Sequence, residues 1–565
     1  MGACALSALT LRQLIEHSAV RFPERPAVSD FGDIPLTYRE FYESVRGLSH
    51  WLSERGIVFG DTVAILAENS AHWAVAYFAV TTMGAVAVPI LTEFHGDAVV
   101  HILRHSEAKS VFVSEKLFPK IEDADLAPAP LIISLETFLP ISRNTPRDTL
   151  KNLKNKGVRE FRRLKDLAMR FALQTPEEPG EDDLAAIIYT SGTTGHSKGV
   201  MLTHKNIVSN VAAVYDVVTI TEQDRMLSIL PLSHTFACTV GLILPLLYGM
   251  HVYFLDKPPT ARVLLPAMAE IRPTVMLAVP LIMEKIFKTG VLPKLTGNAI
   301  SKFLYTIPFI RKAMHAMAGR KLRADFGGRL RIMAIGGAPL AADAECFLRE
   351  ADFPFTIGYG LTESSPILTG TAPGDARPAS AGKPLRDISI RLDNVNPVTG
   401  EGEILAKGPN IMRGYFKLPE MTGEVLSEDG WLRTGDLGSL DEDGYIYIKG
   451  RSKNVVIGPS GENIYPEEIE SLFFSSPYVL EVLVYQHEAK LTARVHLDSA
   501  KLDGLFANVP TGETDSKRQV LLEDIRSSVN LKVSSFARIL KIIEQPEPFE
   551  RTPTQKIKRY LYVDS

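Results

Sequence analysis

Apolar and polar positions follow two rhythms along this chain, and the changes between them mark its elements. Thr37 and Glu40 stand three apart, the spacing of a reciprocal helix N-cap. Behind them, Phe41, Val45, Leu48 and Leu52 recur at the helical repeat, and the pattern stops at Gly56. A helix is predicted there. Short apolar runs at Val63–Leu66, Ala85–Pro89 and Ser110–Val113 predict strands, and Ala71–Met83 and Ala98–His105 between them predict helices. Strands alternating with helices predict an α/β fold built on a parallel sheet covered on both faces. The run from Phe236 to Leu255 is nearly uncharged and about long enough to cross a bilayer, but Gly241, Pro245, Gly249 and His251 interrupt it. It reads as a buried helix followed by a strand.

The pattern shifts again at Gly450-Arg451. Before it, DEDGYIYIKG reads as a hairpin turning at Asp443-Gly444. After it come a helix near Pro466–Phe473, strands near Val482–Tyr485 and Leu491–Leu497, and a helix near Val520–Val529, enough for a small α+β unit. The chain is thereby divided into residues 1–450 and 451–565.

At 565 residues the chain is too long for one core, which agrees with that division. Its 62 basic and 66 acidic residues give a net charge of -4, which argues against a nucleic-acid binder. Cys4, Cys238 and Cys346 are too few and too scattered for a disulfide framework or zinc site, so a cytoplasmic location is expected. The first residues lack the basic opening of a secretory signal. Two stretches stand apart from the balanced charge. Arg143–Arg170 and Lys285–Arg323, the second enclosing the apolar Phe303–Ile310, interleave basic with apolar residues. Each fits either a solvated helix face or a face lying against an anionic membrane. Pro176–Asp183, acidic and Pro-bearing, reads as a surface connector.

The candidate chemistry centres on YTSGTTGHSKG, Tyr189–Gly199, a polar loop between the apolar runs Ala185–Ile188 and Val200–Leu202. Gly192, Gly195 and Gly199 let backbone N–H groups turn inward, Thr190, Ser191, Thr193 and Thr194 add hydroxyls, and Lys198 adds a cation. That inventory suits a polyphosphate. It is not a Walker A loop, because Lys198 lies between Ser197 and Gly199. Downstream, PLSHTF holds His234, and IGGAPL offers Gly336, Gly337 and Ala338 as a backbone that a flat ring can approach. In GYGLTE, Tyr359 could stack on a base, Thr362 bond a phosphate and Glu363 hold Mg²⁺. In TGD, Asp436 could accept from ribose hydroxyls. Lys556 lies in a basic, Pro- and Thr-rich tail.

Taken in this order, these stretches resemble the adenylate-forming superfamily, which includes acyl-CoA synthetases, the adenylation domains of peptide synthetases and beetle luciferase. The wording PLSHTFA and YGLTESSPILTG is most similar to bacterial long-chain fatty acid:CoA ligases. His196-Ser197 before Lys198 and Asn454 after Lys453 depart from the commoner pattern. The resemblance implies a large N-terminal part of parallel-type sheets flanked by helices, with a β-barrel-like portion, and a small mobile C-terminal domain. It implies that ATP and a carboxylic acid give acyl-AMP and pyrophosphate, after which coenzyme A takes the acyl group. By the same resemblance the phosphate loop from Thr190 to Gly195, with Lys198, holds phosphates, and Thr190 and Glu363 hold Mg²⁺. Tyr359 and the Gly336-Gly337-Ala338 backbone hold adenine, Gly360 is also part of the cofactor site, Asp436 holds the ribose, and Arg451 the ribose or phosphate. His234 lies beside the acyl carbonyl, Thr362 and Lys556 serve adenylation, Lys453 marks a hinge, and Gly461 gives pantetheine passage. An acyl carrier protein as acceptor, or a short or aromatic acid as substrate, remains open. A silent nucleotide-binding scaffold would be expected to have lost Lys198, Glu363 or Lys556, and none is lost. A homodimer and peripheral contact at the inner face of a membrane are further expectations.

Overall fold

The structure, a computed structural model, describes residues 6–141, 177–190, 197–255, 257–457, 463–487, 490–507, 513–552 and 557–563. The first expected helix runs Tyr38–Ser53. Glu40 N–H donates to Thr37 Oγ1 at 3.2 Å, and Thr37 N–H donates to the Glu40 carboxylate at 3.0 Å, so two helix-end donors are satisfied reciprocally. Phe41, Val45, Leu48 and Leu52 are fully buried, as their spacing requires.

Two large sheets follow. The first has seven strands in the order Gly414–Tyr415 (β18), Lys198–Thr203 (β8), Leu184–Thr190 (β7), Val86–Pro89 (β4), Thr62–Leu66 (β3), Ser110–Val113 (β5), Leu131–Ser134 (β6). From β7 to β6 all pairs are parallel, while β8 and β18 add an antiparallel edge. The second has nine, ordered Lys383–Pro384 (β15), Ile367–Gly370 (β14), Phe355–Gly360 (β13), Ile332–Ile335 (β12), Val275–Ala278 (β11), Arg225–Ser228 (β9), His251–Phe254 (β10), Pro26–Asp30 (β1), Leu36–Thr37 (β2). Its centre, from β13 to β1, is parallel.

Neighbouring residues of one strand serve different cores, because side chains alternate across a sheet. Val63 and Ile65 of β3 join Val275 and Leu277 of β11 in a core shared by both sheets. Ala64 and Leu66 turn to an outer core with Val99 and Ile102, and Met276 and Ala278 turn to another with Met268 and Phe347. Helices Tyr38–Ser53, Ala71–Thr82 and His204–Val217 fill the shared core between the sheets. Strands buried on both faces read as unbroken apolar runs, which is why they were visible in the sequence.

The segment Phe236–Leu255 divides as expected. A buried helical stretch begins at Thr235 and ends at Leu247, its bonding widening over Thr239–Ile243, and β10 follows. Among the described residues no helix is long and apolar enough to cross a membrane. The basic stretch Arg143–Arg170 lies outside the described residues, whereas the second one folds largely as helices, including Ala299–Tyr305 and Pro308–Asp325.

One expectation is corrected. The barrel-like portion is an open antiparallel sheet of Ser389–Asp393 (β16), Gly402–Lys407 (β17), Leu432–Leu440 (β19) and Ile446–Arg451 (β20), with β16 and β20 as its edges. Four strands are too few to curl shut around a core of side chains. The last part is α+β, as read. Val479–His487 (β21), Lys490–Leu497 (β22) and Lys541–Glu544 (β23) form a sheet packed by Pro466–Phe473 and Thr514–Asn530 through Phe473, Val484, Ala493 and Leu522.

Trp73 is fully buried and stacks on Tyr77 at 5.3 Å. Trp73→Ala is expected to destabilise the fold by about 3–5 kcal/mol through the cavity it leaves, against about 1 kcal/mol for the cap variant Thr37→Ala. Urea denaturation followed by circular dichroism measures both, and a smaller effect at Trp73 than at Thr37 would contradict the shared core.

Candidate active site

In the nine-stranded sheet the chain passes from β9 to β10 on one side, then returns past β9 to β11 on the other. Loops leaving the carboxyl ends of β9 and β11 therefore diverge, and such a switch point opens a crevice. His234 follows β9, Gly336 and Gly337 follow β12, and Tyr359 and Gly360 end β13. Three stretches far apart in sequence thus reach one edge. Phe236, two residues after His234, lies against Gly336, where an added Cβ would stand 3.3 Å from the ring and 3.5 Å from the Gly358 carbonyl. Gly337 has φ +92°, a left-handed turn with open space at the Cβ position, so the backbone is left bare there. His234 Nδ1 accepts the Phe236 N–H at 3.3 Å, which leaves the proton of the neutral ring on Nε2.

Beside this lies a four-residue network. Tyr359 O–H donates to Asp436 Oδ2 at 2.7 Å, and Arg451 Nε stands 2.8 Å from Asp436 Oδ1. Asp436 N–H donates to Thr434 Oγ1 at 3.1 Å, and Arg451 also reaches the Thr434 carbonyl. Asp436 and Arg451 face each other across the β19–β20 pair, so strand register sets their meeting. Burial, reinforced by the Asp436 carboxylate, pushes the Tyr359 phenol well above its ordinary pKa and keeps it a donor.

The phosphate-loop candidates sit on the first sheet. β7 and β8 form an antiparallel pair in which Thr190 faces Lys198. Ser191, Gly192, Thr193, Thr194 and Gly195 between them lie outside the described residues, as do Gly461 and Lys556. Tyr415 of β18, paired with Val200 of β8, joins two candidates. Its hydroxyl donates to Glu363 Oε1 at 2.9 Å, and the Lys198 ammonium lies 5.0 Å from its ring centroid. Burial first, and Glu363 second, raise the Tyr415 phenol far above its ordinary pKa.

Thr362 and Glu363 occupy a single tight turn, Thr362–Ser364. Buried Asn410 clamps it, donating to the Ser364 carbonyl at 2.7 Å, and Met412 N–H donates to the Glu363 carbonyl at 2.9 Å. Gly360 is required for packing, since a Cβ there would fall 1.8 Å from the Pro366 carbonyl. Tyr415 and Asn410 were missed in the sequence. Tyr415 follows a glycine and a Pro-Asn pair contains Asn410, which are loop signals without chemical content.

Lys453 is exposed in the turn Ser452–Asn454 and is not drawn into these networks. Its neighbours are tied on both sides: Ser452 Oγ donates to the Gly435 carbonyl, and Asn454 Nδ2 donates to Glu467 at 2.6 Å. Behind the Gly336–Gly358 edge is an apolar cavity of about 50 Å³, lined by Val214, Phe236, Val240, Leu277, Ala334 and Ile357 among others.

A magnesium ion fits these donors in one form only. Among the described residues no group of three or more His, Cys, Asp or Glu could cage a metal. A single carboxylate, Glu363, with nearby hydroxyls instead suits an ion that keeps phosphate oxygens as ligands.

Comparison with known proteins agrees with this geometry. A family model described as AMP-binding enzyme matches residues 15–416. Long-chain-fatty-acid–CoA ligase 5 of Rattus norvegicus is 30% identical over 574 residues, covering 93% of this chain and 82% of that protein. Long-chain-fatty-acid–CoA ligase FadD15 of Mycobacterium tuberculosis is 29% identical, covering 93% and 90%. Among solved structures, ATP-bound MatB from Rhodopseudomonas palustris superposes with a TM-score of 0.74 at 25% identity, covering 97% of this chain and 98% of that one. The o-succinylbenzoate coenzyme A synthetase of Bacillus subtilis, with ATP and magnesium ion, shares the fold at a TM-score of 0.71 and 23% identity, covering 98% and 99%. The sequence motifs, the crevice and these likenesses converge: the chain belongs to the family of AMP-binding enzymes.

Proposed function

We propose that this enzyme activates a long-chain fatty acid with ATP, releasing pyrophosphate, and passes the acyl group to coenzyme A. The observation that carries the reading is the linkage of Lys198 and Glu363 through Tyr415, next to the Tyr359–Asp436–Arg451 network. A cation and a carboxylate suited to phosphates thus lie on one side, and an acceptor suited to ribose on the other. The Asp436 carboxylate, oriented by Tyr359 and Arg451, is the acceptor suited to the two vicinal hydroxyls of a ribose. The printed names of the 29–30% identical relatives favour a long-chain acid.

In the first step a carboxylate oxygen bonds to the α-phosphorus. The bond to the bridging oxygen breaks, and pyrophosphate leaves with that electron pair. The reactants already repel, so the enzyme must supply positive charge and donors where negative charge gathers. Under this reading Lys198, the Thr190 hydroxyl and the loop amides hold the departing phosphates, and Thr362 bonds the phosphoryl oxygen. Glu363 would hold magnesium, which adds positive charge to the phosphates when bound. Lys556 brings its ammonium to the α-phosphate, and His234 donates from Nε2 toward the acyl oxygen. In the second step the thiol sulfur bonds to the acyl carbon, its proton passes to solvent, and the carbon–oxygen bond to AMP breaks. Residues 1–450 and 451–565 act as two domains hinged at Lys453. The smaller one exchanges Lys556 for the Gly461 loop so that the thiol gains the face Lys556 had covered.

Lys556→Ala is expected to abolish acyl-AMP formation while largely sparing thioester formation from supplied acyl-AMP, and Gly461→Leu to do the reverse. Assays of the two half-reactions decide, and equal losses in both would overturn the exchange. Tyr415→Phe, which removes the hydroxyl from Glu363, is expected to raise the magnesium concentration needed for half-maximal ATP–pyrophosphate exchange by about tenfold, the worth of one hydrogen bond to a charged group. An unchanged magnesium curve would contradict the role given to Glu363. Acid-dependent AMP production across short, aromatic and long-chain acids, with coenzyme A or an acyl carrier protein as acceptor, tests the substrate. A preference for short or aromatic acids would overturn the long-chain assignment.

A further inference from the structure

From residue 285 to 324 the chain carries nine Lys or Arg and no Asp or Glu, in a protein whose net charge is -4. Its two central helices, Ala299–Tyr305 and Pro308–Asp325, are joined by the two residues Thr306 and Ile307. Three polar side chains of this hairpin, Tyr305, Arg311 and His315, are tied together and to Glu350 of the neighbouring helix. Tyr305 O–H and His315 Nε2 lie 2.9 Å apart, His315 Nδ1 is 2.8 Å from the Glu350 carboxylate, and Arg311 forks onto the same carboxylate at 2.6 and 3.1 Å. Leu322 packs into the outer core with Met268 and Phe347, but four apolar side chains face outward. Ile300 is 74% exposed, Phe303 67%, Phe309 84% and Met317 61%. Water-soluble surfaces are built the other way round, and clustered exposed apolar side chains mark a contact surface.

Exposed Lys302, Lys312, Arg320 and Lys321 lie among these residues and make no ion pair among the described residues. A surface of apolar tips set among Lys302, Lys312, Arg320 and Lys321, with Asp325 and Asp352 at one end of the second helix, complements an anionic lipid bilayer. Its headgroups meet the ammonium and guanidinium groups, and its acyl boundary takes the side chains. A second copy of the chain fits poorly, because a two-fold contact through this surface would set cations against cations. A nucleic acid would leave Ile300 and Met317 without a partner, since neither stacks on a base.

We propose that the hairpin Ala299–Asp325 docks the enzyme on the surface of an anionic membrane. Docking does not depend on the reading of the active site, and the two are tested separately. The full chain is mixed with phosphatidylcholine vesicles that contain or lack phosphatidylglycerol, and the sedimented fraction is measured at about 0.05 and 0.5 M salt. Binding is expected to need phosphatidylglycerol and to fall severalfold at the higher salt. The triple variant Ile300→Ser, Phe303→Ser, Phe309→Ser and the triple variant Lys312→Glu, Arg320→Glu, Lys321→Glu are each expected to lower partitioning by about tenfold or more. Both should keep wild-type AMP formation with a water-soluble acid, which confirms that they fold. Equal binding to neutral vesicles, or wild-type partitioning by either variant, would overturn the proposal. So would a shift from dimer to monomer in sedimentation velocity caused by the Ser variant, or tighter binding to RNA than to the anionic vesicles.

Discussion

Both large sheets are buried on their two faces, so no polar side chain can sit on them without losing its water. Within the strands a polar group needs a buried partner, as Ser29 has in His251, so groups that must meet a ligand collect at the strand ends. His234, Gly336, Gly337, Tyr359 and Glu363 all stand at or just beyond the carboxyl ends of strands in the nine-stranded sheet, and Lys198 opens β8, next to the edge strand of the other. Satisfying the hydrophobic faces therefore gathers the chemistry at one margin.

Within that margin the groups are arranged before any ligand arrives. Asp436 is held by Tyr359 and Arg451, and Glu363 by Tyr415. Tyrosine suits both places. Its ring fills apolar space while its hydroxyl donates to a carboxylate, and burial keeps both phenols protonated. A carboxylate fixed in this way needs little reorganisation to meet the ribose or the magnesium–phosphate complex proposed for it.

Much of this was legible in the sequence, for identifiable reasons. Unbroken apolar runs gave β3, β4 and β5 because these strands are buried on both faces, and Thr37 with Glu40 gave a helix start because the cap is local. The direction of the parallel strands followed from the helices between them, but that of β8 was not legible. Val200–Leu202 has the same apolar character whether β8 runs with or against β7, and it runs against. Tyr415 was hidden because its partner Glu363 is 52 positions away, and no periodicity links them. Asn410 was hidden in the same way, its meaning coming from the turn it clamps. The open four-stranded sheet shows a further limit: alternation predicts strands but not how many share a sheet or whether its edges meet.

The approach of Gly360 to the Pro366 carbonyl has a consequence for reading mutational data. At this crossing two backbones lie closer than any side chain permits, and the crossing ends where the turn bearing Thr362 and Glu363 begins. A saturation library would score position 360 as intolerant as a true reacting group. Intolerance along this margin therefore reports steric riveting as readily as chemistry, and only partial reactions assayed on folded variants separate the two.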